Sequence, residues 1–192
     1  HDYLSGRPCD RGSLAQAGLT GATASRRVLY MATLGKAAGV AGAFVAGDAA
    51  LIEWLLQKTR TYIFATAAPP LLASALRQSL QIMAAADDRR AHLAALITQL
   101  RTRLADLPKA LGWHLLPSHT PVQALVIGSN EAALHVMDGL RTQGLWVPAI
   151  RPPTVPAGTA RLRIALSAAH TTRDVAQLLA ALHALAKPLV SR

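Results

Sequence analysis

Residues 27–48 read RVLYMATLGKAAGVAGAFVAGD, and the fold turns on how this stretch is parsed. Arg27-Val28-Leu29-Tyr30-Met31-Ala32-Thr33 is a short apolar run suited to a buried strand. A glycine-studded turn, Gly35-Lys36-Ala37-Ala38-Gly39-Val40-Ala41-Gly42, separates it from a second apolar run, Ala43-Phe44-Val45-Ala46. Gly47-Asp48 closes that run. Asp48 is placed to cap a helix over roughly 49–59, where Leu51, Trp54, Leu55 and Lys58 keep helical spacing. Lys36 therefore sits between two apolar runs and among Gly35, Gly39 and Gly42. Glycine admits tight turns and close approach of backbone to a ligand. A lysine in such dry surroundings tends towards a lowered pKa, which suits Schiff-base formation with a carbonyl cofactor. The spacing alone equally admits a plain surface turn.

Upstream, residues 1–25 are rich in Gly, Ser and Arg, lack periodicity and read as loop. Downstream, Pro69-Pro70 opens a long helical region in which Leu93, Leu96, Ile97, Leu100, Leu104 and Leu107 form one apolar stripe. Asp87-Asp88-Arg89-Arg90 interrupts that region and reads as the joint between two domains, 1–85 and 86–192. Pro108 and Gly112 end the helical pattern. The rhythm then changes to a strand over Val122–Ile127, a helix over roughly 131–142 capped by Ser129 or Asn130, and a stop at Gly144. A strand over Leu145–Ile150, a proline-rich loop from Arg151 to Gly158 and a strand over Ala160–Leu166 follow. Arg161 and Arg163 share one face of that last strand, because side chains two apart point the same way. Thr171 with Asp174 resembles a capping box for a final helix over about 172–186. The order β-α-β-β-α describes a small α/β layer structure.

With 52% hydrophobic residues in 192, the chain has ample material for a packed core. Twenty Lys and Arg against ten Asp and Glu give a formal net charge of +10. The cations are scattered rather than interleaved with aromatics, which argues against nucleic acid as a partner and for an anionic cofactor or substrate. Cys9 stands alone, so neither a disulfide framework nor a cysteine metal site is expected. His92, His135 and His183 fall in helical patterns and His114 and His119 in a loop, with no metal-ligand spacing, so no metal is expected. Asp48 and Glu53 interrupt the most apolar region, so no membrane-spanning helix is expected; no signal peptide is visible, and the expected location is the cytoplasm. The chain starts at His1 and its first methionine is Met31, which reads as a processed product or a piece of a longer protein.

Three segments resemble the α-oxoamine synthases, a family of pyridoxal-phosphate (PLP) enzymes. Thr33-Leu34-Gly35-Lys36-Ala37-Ala38-Gly39-Val40-Ala41-Gly42 is similar to the family's lysine segment, T-[LF]-[GS]-K-[AG]-x-G-x-x-G. That resemblance implies that Lys36 carries the cofactor as a Schiff base and that Thr33 binds its phosphate. Arg60 to Pro70 resembles the family's aromatic-Ser/Thr-Thr-x-x-x-Pro-Pro stretch, whose hydroxyl pair reaches the phosphate held by the partner subunit of a dimer. Ala65 replaces the first hydroxyl, so only Thr66 carries over; an N-cap before Pro69-Pro70 would account for Thr66 as well. Ile150 to Arg163, with Ala168-Ala169-His170 beyond, looks like the family's C-terminal signature and is closest to its biotin-pathway members. It implies that Arg163 binds the amino-acid carboxylate, for which a planar bidentate donor is suited, and that Thr154 contacts substrate. Arg161 reads as a solvated strand arginine and His170 as structural.

The resemblance implies PLP-dependent transferase fold type I. The chain would supply the end of the PLP-binding large domain over 1–85 and the small C-terminal α/β domain over 86–192. It implies a homodimer and a decarboxylative condensation of L-alanine with a pimeloyl thioester, carried on coenzyme A or acyl carrier protein. The alternatives are a related synthase using glycine or serine, and a non-catalytic truncated remnant. The distance from His1 to Lys36 matches His1 as the histidine of the family's Asp-x-x-His motif, a cofactor-binding position. The aspartate of that motif, which pairs with the pyridine nitrogen, would then precede His1. The chain thus reads as an incomplete portion that binds PLP poorly on its own.

Overall fold

The structure, a computed structural model, describes residues 14, 17–19, 26–105 and 111–190, with side chains described as far as 186. Two compact units emerge, one over residues 14–87 and the other built on residues 88–192.

In the first unit, β1 (Tyr30–Thr33) and β2 (Ala43–Ala46) pair antiparallel, with Tyr30 opposite Ala46 and Thr33 opposite Ala43. Helices α1 (Ala49–Lys58), α2 (Arg60–Ile63) and α3 (Pro70–Ala85) follow. α1 starts where the sequence says it should, because the Asp48 carboxylate accepts the Ala50 amide at 3.1 Å. An ion pair with Arg26, followed by that amide bond, holds the Asp48 carboxyl below its ordinary value. Pro70 occupies the first turn of α3, where its missing N–H costs nothing and its fixed φ favours the helix. The helix ends at Ala86, one residue before the acidic-basic quartet.

The apolar runs of this unit do not form a buried sheet. β2 is exposed along its whole length, and Met31 of β1 is 66% exposed. The two strands pair with each other alone among the described residues, and a two-stranded ribbon has little to cover its faces. Val40, in the turn between them, is the one buried hydrophobic residue of the unit's described residues. β1 also begins at Tyr30, three residues later than the apolar run.

The second unit contains α4 (from Asp87 to Leu104), β3 (His114–Leu115), β4 (Val122–Gly128), α5 (Asn130–Arg141), β5 (Ala149–Ile150), β6 (Ala160–Ala165) and α6 (Thr172–Val190). Its strands lie in the order β3-β4-β6-β5, every pairing antiparallel. One sheet face, carrying Leu125, Ile127, Ala160, Leu162 and Ile164, shares a core with Leu96, Ile97, Leu100 and Leu104 of α4. Val136 and Leu140 of α5 and Leu178, Leu179 and Leu182 of α6 complete it. The stripe expected on α4 is therefore the buried one, although Leu107 and Pro108 lie outside the described residues. Ser129 caps α5 through a bond from the Ala132 amide. Thr171 and Asp174 form the expected reciprocal capping box on α6.

Two strands differ from expectation. β5 covers only Ala149–Ile150, because the Leu145 amide is taken by the Leu140 carbonyl at the left-handed Gly144 turn and Pro148 has no N–H to give a ladder. β3, two residues long, carries no periodicity and was not expected.

Gln123 is the one fully buried polar residue among those described. Its amide donates to the Thr120 carbonyl at 2.7 Å, and its oxygen accepts Arg101 Nη1 at 2.6 Å. Arg101 also donates to the Leu116 carbonyl, so this pair ties the 116–122 loop to α4. Gln123→Leu keeps the volume but removes one of the two acceptors of Arg101 and leaves the Thr120 carbonyl without its donor. It should lower stability by about 2 kcal/mol in urea denaturation; an unchanged midpoint would contradict this reading. Asp174 is held below its ordinary 3.8, first by the Thr171 amide and then by the Thr171 hydroxyl. Its contribution is complete above that value and is lost as pH falls through the lower folded-state value. Asp174→Asn should flatten the acid limb of the stability profile recorded by circular dichroism.

Candidate functional site

Residues 34–42 bridge β1 and β2 and carry Lys36. Three backbone bonds shape the bridge: the Leu34 amide donates to Gly42 O at 2.9 Å, Val40 to Leu34 O at 3.0 Å, and Gly39 to Lys36 O at 3.0 Å. The last closes a tight turn over 36–39. Gly39 has φ +65° and Gly42 φ +125°, angles that L side chains rarely adopt. A Cβ at Gly35 or Gly39 would meet nothing within 4 Å, so Gly39 is required for its backbone angle and not for space. Val40, tucked inward, anchors the turn to its unit.

Lys36 itself is exposed. The dry surroundings expected from the flanking apolar runs are absent, because those runs are themselves exposed and the glycines leave the turn open. Thr33, the last residue of β1, is exposed on the same hairpin. Thr66 lies in the extended segment 65–69, also exposed. It is not a helix cap: Pro69 holds the N-cap position of α3, with no side-chain bond, three residues further on. His1 lies outside the described residues.

One contact in this unit has no local sequence signature. Ser79 of α3 donates its hydroxyl to the Ala38 carbonyl at 2.7 Å, across 41 residues of chain, and so fastens the lysine turn to a helix. A cavity of about 380 Å³ elsewhere in the unit is lined by Met31, Phe44, Ile52, Leu55, Leu56 and Tyr62 among others. It is apolar and includes none of Lys36, Thr33 or Thr66.

In the second unit, Thr154 is exposed in the proline-rich loop, its amide bonded to Arg151 O at 3.0 Å. Arg163 is exposed on the β6 face that turns away from the helices, opposite Ala124 of β4. Arg161 shares that face, but it is not a solvated arginine. Half-buried, it donates to the Thr159 carbonyl at 3.0 Å and the Thr159 hydroxyl at 2.9 Å, fixing the end of the loop that carries Thr154. His170 is structural: its Nδ1 accepts the Ser167 amide and its carbonyl accepts from His92 Nε2.

The first unit thus presents a primary amine and hydroxyls, and the second a guanidinium and a hydroxyl. No group of three metal-ligating side chains occurs among the described residues. No described helix is long and apolar enough to cross a membrane.

The sequence model of the family "Aminotransferase class I and II" matches residues 6–182. The chain is 71% identical over 175 residues to a Delftia acidovorans protein named 8-amino-7-oxononanoate synthase, covering 91% of this chain and 43% of that one. It is 66% identical over 181 residues to 8-amino-7-oxononanoate synthase 1 of a Polaromonas species, covering 94% and 45%. Among solved structures, Sphingomonas wittichii serine palmitoyltransferase superposes with a TM-score of 0.78 at 28% identity, over 93% of this chain and 43% of that one. Francisella tularensis 8-amino-7-oxononanoate synthase gives 0.70 at 29% identity, over 84% and 45%. The chain spans less than half the length of these curated relatives.

The turn geometry separates two glycines that look alike in sequence. Gly39→Ala should strain the 36–39 turn and speed exchange of the Val40 amide about tenfold, the equivalent of 1–2 kcal/mol. Gly35→Ala, with ordinary φ and open space, should leave it unchanged. Hydrogen exchange followed by NMR reads both, and equal effects would contradict the assignment.

Proposed function

The chain belongs to the aminotransferase class I and II family and carries part of the fold type I architecture, and from that membership we propose that it serves an 8-amino-7-oxononanoate synthase reaction. In this reading residues 1–85 end the PLP-binding large domain and residues 86–192 form the small C-terminal domain. The observation that carries the proposal is Lys36, an exposed amine at the head of a glycine-closed turn, three residues after the Thr33 hydroxyl.

The residues present fit PLP by the chemistry of the donor set. A primary amine meets an aldehyde carbon, threonine hydroxyls meet phosphate oxygens, and the glycines leave open volume around the amine. PLP, when bound, supplies an electron sink that stabilises negative charge on the amino-acid α-carbon.

The chain's own groups do the rest. Lys36 Nζ would be the group that holds the cofactor, and as a free amine beside bound L-alanine it takes the α-proton. Arg163 binds the alanine carboxylate through two parallel N–H donors, and Thr154 contacts substrate. The alanine α-carbon then bonds to the carbonyl carbon of a pimeloyl thioester as the C–S bond breaks and the thiolate departs; the carboxylate leaves as carbon dioxide, and the α-carbon takes a proton back from the Lys36 ammonium. Lys36 is the general base, and its place on a short turn fixes where the proton goes. Thr33 binds the phosphate of its own subunit and Thr66 that of the partner in a homodimer. The exposed apolar side chains beside Thr66, Tyr62 at 63%, Phe64 at 79% and Leu71 at 75%, support such an interface. His1 is assigned to the cofactor ring on the family motif alone.

The amino acid is tested by the visible spectrum of the PLP-loaded chain. L-Alanine should perturb the absorbance and glycine and serine should do so weakly. Arg163→Gln should weaken the apparent affinity for alanine at least tenfold, a loss in keeping with a charge-assisted pair. A response to serine or glycine alone would move the reading to a sister synthase. No response to any amino acid, with PLP bound at Lys36, would favour a non-catalytic remnant.

A further inference from the structure

We propose that Ser79 is a positioning residue for Lys36, a role that rests on Lys36 being the cofactor lysine. The Ala38 carbonyl accepts the Ser79 hydroxyl at 2.7 Å, and the Gly39 amide of the same peptide donates to the Lys36 carbonyl at 3.0 Å. A trans peptide is planar, with C=O and N–H on opposite sides. Ser79 and Lys36 therefore hold that plane from its two edges, and the tilt of the plane sets the direction of the Lys36 backbone.

The anchor is rigid where the turn is not. α3 runs from Pro70 to Ala85 with no glycine and with its proline at the first turn. The turn carries Gly35, Gly39 and Gly42 within residues 34–42, so its backbone has many alternatives without an external restraint. A mid-helix serine usually bonds back to its own helix or to water. This one reaches instead across 41 residues to a half-buried carbonyl. The two bonds form a relay, Ser79 hydroxyl to Ala38–Gly39 peptide to Lys36 carbonyl, in which each bond polarises the next. Lys36 thus meets a ligand from a preset position, and little ordering is left to be done at binding.

The test compares the unsubstituted chain with Ser79→Ala, Ser79→Thr and Lys36→Ala. Alanine is the best helix former, so Ser79→Ala leaves α3 intact. In the chain without cofactor, Ser79→Ala should speed exchange of the Gly39 and Val40 amides on the order of fivefold while the amides of α1 and α3 keep their protection. The apparent affinity for PLP, read from visible absorbance above the Lys36→Ala background, should fall by a similar factor. Ser79→Thr, which keeps the hydroxyl, should restore both. Loss of protection throughout α1 and α3 would overturn the inference by showing a general structural role. Unchanged exchange and unchanged affinity in Ser79→Ala would overturn it alone and leave Lys36 as the cofactor lysine. Identical absorbance for the unsubstituted chain and Lys36→Ala would overturn the cofactor reading and this inference with it.

Discussion

The hydrogen bond from the Gly39 amide to the Lys36 carbonyl closes the turn that carries Lys36, the residue proposed to hold the cofactor. It forms only because Gly39 sits at φ +65°, an angle that a side chain would make costly. With the Leu34–Gly42 and Val40–Leu34 bonds it joins the two strands in register, with Val40 buried and Lys36 exposed. A lysine on a longer, unclosed loop would have to be ordered by its ligand at each binding event.

The two units settle the burial of apolar surface differently. The second covers one sheet face with α4, α5 and α6, and among its described residues the one fully buried side-chain amide, Gln123, is satisfied by Arg101 and the Thr120 carbonyl. Its other sheet face is where Arg163 stands, exposed on a strand whose opposite side is locked into the core. Among its described residues the first unit has two paired strands followed by three helices, and much of the apolar surface there, from Met31 and Trp54 to Phe64 and Leu71, is exposed. Exposure of that extent on contiguous elements is characteristic of surfaces that meet other protein.

How much of this was legible in the sequence depended on how local each signal was. The Asp48 cap, the Thr171–Asp174 box and the α4 stripe are short-range patterns, and each appears where the residues place it. β5 was overextended because an apolar run cannot show that the Leu145 amide is already used to finish a helix. The apolar runs around Lys36 promised burial, but composition reports what wants covering and not what covers it. Gly39 and Lys36 were visible as a turn, while their assignment to a cofactor came from family likeness, as did those of Thr33, Thr66, Thr154 and Arg163. Ser79 carries no local signal because it bonds across 41 residues, and Arg161, which reads as solvated, instead bonds Thr159 in a way that strand alternation does not reveal.

The central claim is that Lys36 is the residue that takes up PLP. Borohydride reduction of the chain after incubation with PLP, followed by peptide mapping, tests it most directly. Label confined to the peptide containing Lys36 is the predicted result. Label spread over Lys58, Lys109 and Lys187, or none, would contradict the account.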